Sequence, residues 1–157
     1  LELDCEYLQP LGIKRENCWI TDLVRVFLFK EGHIEKYRRL NCPWPEFETR
    51  SRFEEYAQAS MEFLMEELRI AAPRVIITLG TEVAGILRGV DSQLERTKLL
   101  SGKLTENLKI GLQVFQAIHL AHPGIVMRPA SNQNAWPTIH RSEHIPAAGA
   151  ALRSLGL

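Results

Sequence analysis

A five-residue run of apolar and β-branched side chains, Val75, Ile76, Ile77, Thr78 and Leu79, sits between Pro73 and Gly80 and narrows what this chain can fold into. It is too short for a helix and too continuous for a strand with one wet face, so it predicts a strand covered on both sides. Gly80 turns the chain, Thr81 can cap a helix from Glu82 to about Leu87, and Gly89 is placed to end it. Before the run, Phe53, Ala57, Met61, Leu64, Leu68 and Ala71 recur at three- and four-residue spacing through Ser51–Ala72, with glutamates and arginines between them. That pattern predicts the longest helix of the chain, stopped by Pro73, which restrains its neighbour and cannot donate to the helical ladder.

The same reasoning places the remaining elements. Leu1, Cys5 and Leu8 have helical spacing and Gly12 follows as a C-cap, predicting a short amphipathic helix over residues 1–11. Cys18 to Phe29, dense in Trp19, Ile20, Thr21, Val24, Val26 and Phe27, predicts a buried strand ending between Thr21 and Val26. Lys30 to Arg50 is charged and broken by Gly32, Pro43 and Pro45, which predicts a long surface loop. Asp91 to Lys109 reads as an irregular excursion with one short hairpin strand near Leu99; Val114–Leu120 is a third strand and Glu143–Leu155 a closing helix. Strands alternating with helices imply a three-layer α/β/α domain built on a parallel sheet.

Composition limits the function classes. The 157 residues, 45% of them hydrophobic, suit one domain over 1–157, and 19 basic residues balance 19 acidic ones. With no global field, any nucleic-acid contact must be local. Without a run of about 20 apolar residues or a basic leader, the expectation is a cytoplasmic protein that does not span a membrane. Cys5, Cys18 and Cys42 are an odd set without a C-x-x-C pair, so neither a disulfide scaffold nor a metal site is expected, and no cofactor.

Open parallel sheets bind ligands beyond the carboxyl ends of their strands, which directs attention to the loops beginning near Asp22, Gly80 and His122. A histidine released just past a buried strand can offer an imidazole to a leaving group. It can equally cap a turn before Pro123, and on spacing alone the capping reading is favoured. Trp44 between two prolines reads as a loop anchor, and Tyr37, Arg38 and Arg39 as solvated surface. His119 reads as a satisfied core residue, and His140, Arg141 and His144 near Trp136 as packing of the last helix.

Three runs taken together carry more. Trp19 to Arg25 (WITDLVR), Ala72 to Gly80 (APRVIITLG) and His122 to Arg128 (HPGIVMR) resemble, in order and spacing, the uracil-DNA glycosylase superfamily, most closely its bacterial and archaeal branches. The resemblance implies a DNA glycosylase for base excision repair, a hydrolase of the N-glycosidic bond of a flipped, deaminated base. It implies His122 as the catalytic group that hydrogen-bonds the base carbonyl and stabilises the departing anion. Thr21, Asp22 and Pro123 would bind the substrate. Gly124, Met127 and Arg128 would meet DNA, Met127 as a wedge and Arg128 at a phosphate. His122 and Asp22 would then flank one pyrimidine-sized space.

Two positions depart from the family pattern. Asp22 stands where the family commonly has an asparagine; an ionised carboxylate only accepts, whereas an amide also donates, so uracil selectivity is affected. The family's first strand, with its Gly-Pro-Gly-like loop that positions water, has no counterpart here, so the chain is expected to be N-terminally incomplete or to fill the central gap with another segment. The partner expected is DNA, with the protein a monomer and free of an iron–sulfur cluster. The alternative is a noncatalytic member of the same fold that binds nucleic acid or a protein partner. An unrelated doubly wound nucleotide binder lacks any Gly-x-Gly-x-x-Gly or Gly-x-x-x-x-Gly-Lys sequence.

Overall fold

The apolar run after Pro73 forms the predicted strand, β1, over Ile76–Leu79. The computed structural model that places it describes residues 2–41 and 49–157, so Cys42 and Trp44, and the expectations attached to them, lie outside the described residues. The chain divides into two compact units, one of Leu1–Trp19 with Ala72–Leu157 and one of Ile20–Ala71.

In the first unit β1 pairs in parallel with β3 (Gln113–Leu120), Ile76 opposite Ala117 and Leu79 opposite Leu120. Gly80 leaves β1 at φ +107, a conformation open to glycine and strained for other residues, and its N–H donates to the Leu120 carbonyl at 2.8 Å. Helix α4 (Thr81–Arg88) follows directly and ends at Gly89; Gly80 is its N-cap and Thr81 its first residue, one position from the expectation.

Strand β2 (Leu104–Ile110) completes a three-stranded sheet of order β1-β3-β2 in which β2 runs antiparallel to β3. The fold is therefore α/β as expected; the sheet is small and only partly parallel, with β1 and β3 forming the parallel pair. The cause is local: only Gly111 and Leu112 separate β2 from β3, and a connection that short can join only antiparallel neighbours. Asn107, at φ +64, lies where the register shifts between Thr105 and Leu108, a bulge in β2. The hairpin strand thus falls after Leu99, which instead closes helix α5 (Gln93–Leu99).

β3 is fully buried from Ala117 to Leu120 and its side chains alternate. Ile118 and Leu120 share a core cluster with Tyr7, Ala148 and Leu152. Helix α1, wound as a π-helix over Asp4–Leu8 and as an α-helix over Gln9–Leu11, brings Tyr7 to that cluster and ends at Gly12 with φ +72, as predicted; Cys5, assigned to its apolar stripe, is exposed. The closing helix starts earlier than expected. Trp136–Ile139 (α7) passes through a π-wound turn, His140–His144, into α8 (Ile145–Ser154). Pro146, second in α8, has no N–H for the Ser142 carbonyl, and a widened turn just before it accommodates the missing bond.

The opposite alternation of β3 carries a buried polar chain. Arg88 of α4 donates through Nε to His119 Nε2 at 3.0 Å, so the imidazole proton sits on Nδ1 and is donated to Thr78 Oγ1 at 2.7 Å. Arg88 also reaches Thr105 Oγ1, whose hydroxyl donates to the Ala117 carbonyl at 2.9 Å, so the network ties all three strands to α4. His119 is thus the satisfied core residue that its position suggested.

Burial, and next the Arg88 charge, pull the His119 pKa down from 6.5 to about 4. A folded-state pKa below the unfolded value means stability is complete above about pH 6.5 and is lost as pH falls toward 4, because the unfolded chain takes up the proton first. The loss expected from His119 is about 3 kcal/mol. Burial lowers His140 and His144 in the same direction. Urea denaturation at pH 7.5, 5.5 and 4.5 reads the effect; a midpoint unchanged over that range contradicts it.

In the second unit the predicted long helix forms as α3 (Phe53–Ala71), burying Ala57 and Leu68 of its apolar stripe. Two expectations fail here. The segment from Cys18 to Phe29 forms no strand: Val26 and Phe27 are exposed, and the pairing found is a single parallel bridge from Phe29 to Thr49. β-branched composition favours a pleated surface only where a partner strand exists, and these described residues have none beyond that bridge. The stretch expected to be loop contains helix α2 (Glu31–Arg39), which buries Ile34 and half-buries Tyr37, one turn apart on one face.

Candidate functional site

The carboxyl ends of the two parallel strands meet at Gly80 and His122. β3 ends at Leu120, Ala121 is still fully buried, and His122 is the first residue to reach the surface. Its backbone is extended, at φ −72 and ψ 138, and it serves as N-cap of the short helix α6 (Pro123–Val126). Pro123 stands in the first turn, where its missing N–H costs nothing. The His122 carbonyl accepts from Ile125 N–H at 3.0 Å and Val126 N–H at 3.3 Å.

The ring takes part in the cap. Gly124 N–H donates to His122 Nδ1 at 2.9 Å. A nitrogen that accepts an amide proton must carry its lone pair, so the neutral imidazole has its own hydrogen on Nε2. The two readings left open by the sequence, cap or ligand donor, are therefore compatible, because capping with Nδ1 makes Nε2–H the donor. Two glycines seat the ring. A Cβ at Gly80 would lie 3.3 Å from His122 Cβ and 3.6 Å from Cδ2, and one at Gly124 would lie 3.0 Å from Nδ1.

The rest of the His122–Arg128 loop is compact. Met127, at the C-cap of α6, and Arg128 are exposed, and Asn134 Nδ2 donates to the carbonyls of Ile125 at 3.3 Å and Pro129 at 3.4 Å, pinning the exit of the loop. His122, Pro123, Gly124, Met127 and Arg128 are therefore brought together on one capped turn. Thr21 and Asp22 belong to the Ile20–Ala71 unit, where both are exposed in irregular backbone and Thr21 Oγ1 accepts from Arg25 at 3.2 Å. A cavity of about 270 Å³ in that unit is lined by Val24, Phe27, Lys30, His33 and Phe53 among others, and by neither Thr21 nor Asp22. Among the described residues no three histidine, cysteine or acidic side chains come close enough to hold a metal ion, and no helix is long and apolar enough to cross a membrane.

The model of the Uracil DNA glycosylase superfamily matches residues 5–145, most of the chain. The chain belongs to the uracil DNA glycosylase superfamily. No curated protein matches it. The matched span includes the three runs that carry the resemblance, and the fold's glycine-ended parallel strand and histidine loop fall inside it. Membership brings a glycosylase-related role and an association with DNA in general terms.

Three features of the site were not legible in the sequence. The first is the seat that Gly80 gives the His122 ring; a glycine ending a buried strand was the available signal. The second is the Gly124 amide that fixes the tautomer. The third is Tyr7, whose hydroxyl reaches the Ala121 carbonyl at 2.7 Å and which nothing in the helical spacing of residues 1–11 singled out.

Proposed function

We propose that this superfamily member is a DNA glycosylase that hydrolyses the N-glycosidic bond of a flipped, deaminated base, with His122 as its electrophilic donor. The observation that supports this best is the amide of Gly124 on His122 Nδ1, which puts the ring proton of the imidazole on Nε2 at the carboxyl end of a parallel strand. As the bond from C1′ to the base nitrogen breaks, the electron pair stays with the base and the sugar gains cation character. A hydrogen bond from Nε2 to the base carbonyl is worth most at that moment, when the oxygen carries the new negative charge. Water then adds to C1′ and gives up a proton. Met127 and Arg128, exposed beyond the same turn, would serve as wedge and phosphate contact.

Thr21, Asp22 and Pro123 are proposed as the substrate-binding group on the strength of the family pattern. Asp22 sets the expected selectivity. A carboxylate accepts from an N–H but repels a carbonyl oxygen, so uracil is disfavoured relative to a base with an amino group at that edge. Asp22→Asn is expected to raise excision of uracil by about tenfold, the value of one correctly paired hydrogen bond. The measurement is single-turnover cleavage of single-stranded oligonucleotides carrying uracil, hypoxanthine or xanthine, beside cytosine, whose amino group stands where uracil has its O4. An active wild type with unchanged base preference in the variant removes Asp22 from the site; a wild type inactive on every base that still binds DNA favours a noncatalytic role.

A further inference from the structure

The backbone that delivers His122 is held at three successive carbonyls by three different donors. Leu120 accepts from Gly80 N–H at 2.8 Å, Ala121 from the Tyr7 hydroxyl at 2.7 Å, and His122 from Ile125 N–H at 3.0 Å. The first and third donors are backbone groups that the sheet and α6 supply in any case. The second is a side chain from the other end of the sequence, and it holds the peptide plane that joins Ala121 to His122. That plane sets how the His122 Cα enters the turn, and with it the direction of the ring.

Tyr7 is itself firmly placed. It is 2% exposed, and its ring lies 4.6 Å from the His140 ring. Pro10, four residues after Glu6, has no N–H to donate to the Glu6 carbonyl, and His140 Nε2–H donates there instead at 3.1 Å. Arg141 adds a two-pronged pair to the Glu6 carboxylate, at 3.0 and 2.8 Å. Helix α1 is thereby fastened to the π-wound turn before α8, and the Tyr7 hydroxyl is carried on a rigid support.

We propose that Tyr7 is a positioning residue for His122, fixing through the Ala121 carbonyl the backbone from which the imidazole is aimed and held in its Nε2–H tautomer. The proposal rests on the reading of His122 as the electrophilic donor. Because Ala121 is fully buried, a carbonyl deprived of the hydroxyl must tilt toward another donor, and the ring follows the tilt. Small losses of aim at a reacting centre are costly in rate and nearly silent in affinity.

Tyr7→Phe keeps the ring and removes only the donor. In the full chain with ¹⁵N-labelled histidine, His122 is expected as a single Nε2–H tautomer in the wild type and as a mixture of tautomers in Y7F, with the His119 signals unmoved. Single-turnover excision at saturating DNA is expected to slow about tenfold, with half-saturating DNA unchanged within about twofold. A merely structural role would lower Tm and move the histidine signals together. An unchanged His122 tautomer in Y7F overturns the proposal, as does an unchanged rate in an active protein. Inactivity of the wild type on every base removes the glycosylase reading alone, since the tautomer measurement still decides the role of Tyr7.

Discussion

His122→Ala is expected to reduce single-turnover excision by about 10²–10³-fold, the usual cost of removing one donor to a developing anion. The size follows from the role proposed for the imidazole. Its Nδ1 accepts from Gly124 N–H, so the proposed contribution is an Nε2–H dipole that requires no proton transfer before it acts. The side chain is exposed, so little core is lost; the lost ring cap on a four-residue helix costs about 1 kcal/mol. Tm should therefore fall by no more than about 4 °C. His122→Gln restores a donor at a different angle and is expected to recover a small part of the rate. Stopped-time cleavage assays beside thermal melts separate the two effects. A stable His122→Ala protein that excises at the wild-type rate would show that the donor lies elsewhere.

Gly102→Ala is expected to be the most damaging single-methyl change in the sheet unit, destabilising it by about 4 kcal/mol. Gly102 has φ +67, its N–H donates to the His119 carbonyl at 3.2 Å, and a Cβ there would stand 2.1 Å from the His144 carbonyl oxygen and 2.8 Å from His144 Cα. Those atoms are backbone of the π-wound turn, which cannot yield without shifting α8 and its buried Ile145, Ala148 and Leu152. Gly89→Ala provides the comparison. Its φ of +63 carries a similar conformational penalty, about 1 kcal/mol, but nothing lies within 4 Å of the added methyl. Thermal melts of the two variants should differ by about 6–12 °C. Equal melting temperatures would mean that the π turn gives way freely.

The pattern of success and failure has physical causes. Where a segment carries both its own periodicity and its own stop signals, the sequence specified it: α3 with its stripe and Pro73, β1 with Gly80, α1 with Gly12, and β3 with its apolar run. Where structure depends on a partner, composition misled. Trp19 to Phe29 has the residues of a strand but, among the described residues, no pairing beyond the Phe29–Thr49 bridge, and Glu31–Arg39 has the charge of a loop yet gains a helix by burying Ile34. The mixed sheet also had a local signal, the Gly111–Leu112 connection, which outranks the general rule that alternating elements make a parallel sheet.

The residues of the candidate site divide the same way. His122, Gly80 and the loop to Arg128 were visible because each stands next in the chain to a strand end, and strand ends are local properties. The tautomer of His122, its seat on Gly80 and the clamp from Tyr7 were decided only by the tertiary structure. The seat and the clamp join residues 42 and 114 positions apart, and the tautomer, set by an amide two residues on, depends on which ring nitrogen the packed side chain turns toward it; no single-residue pattern records these outcomes.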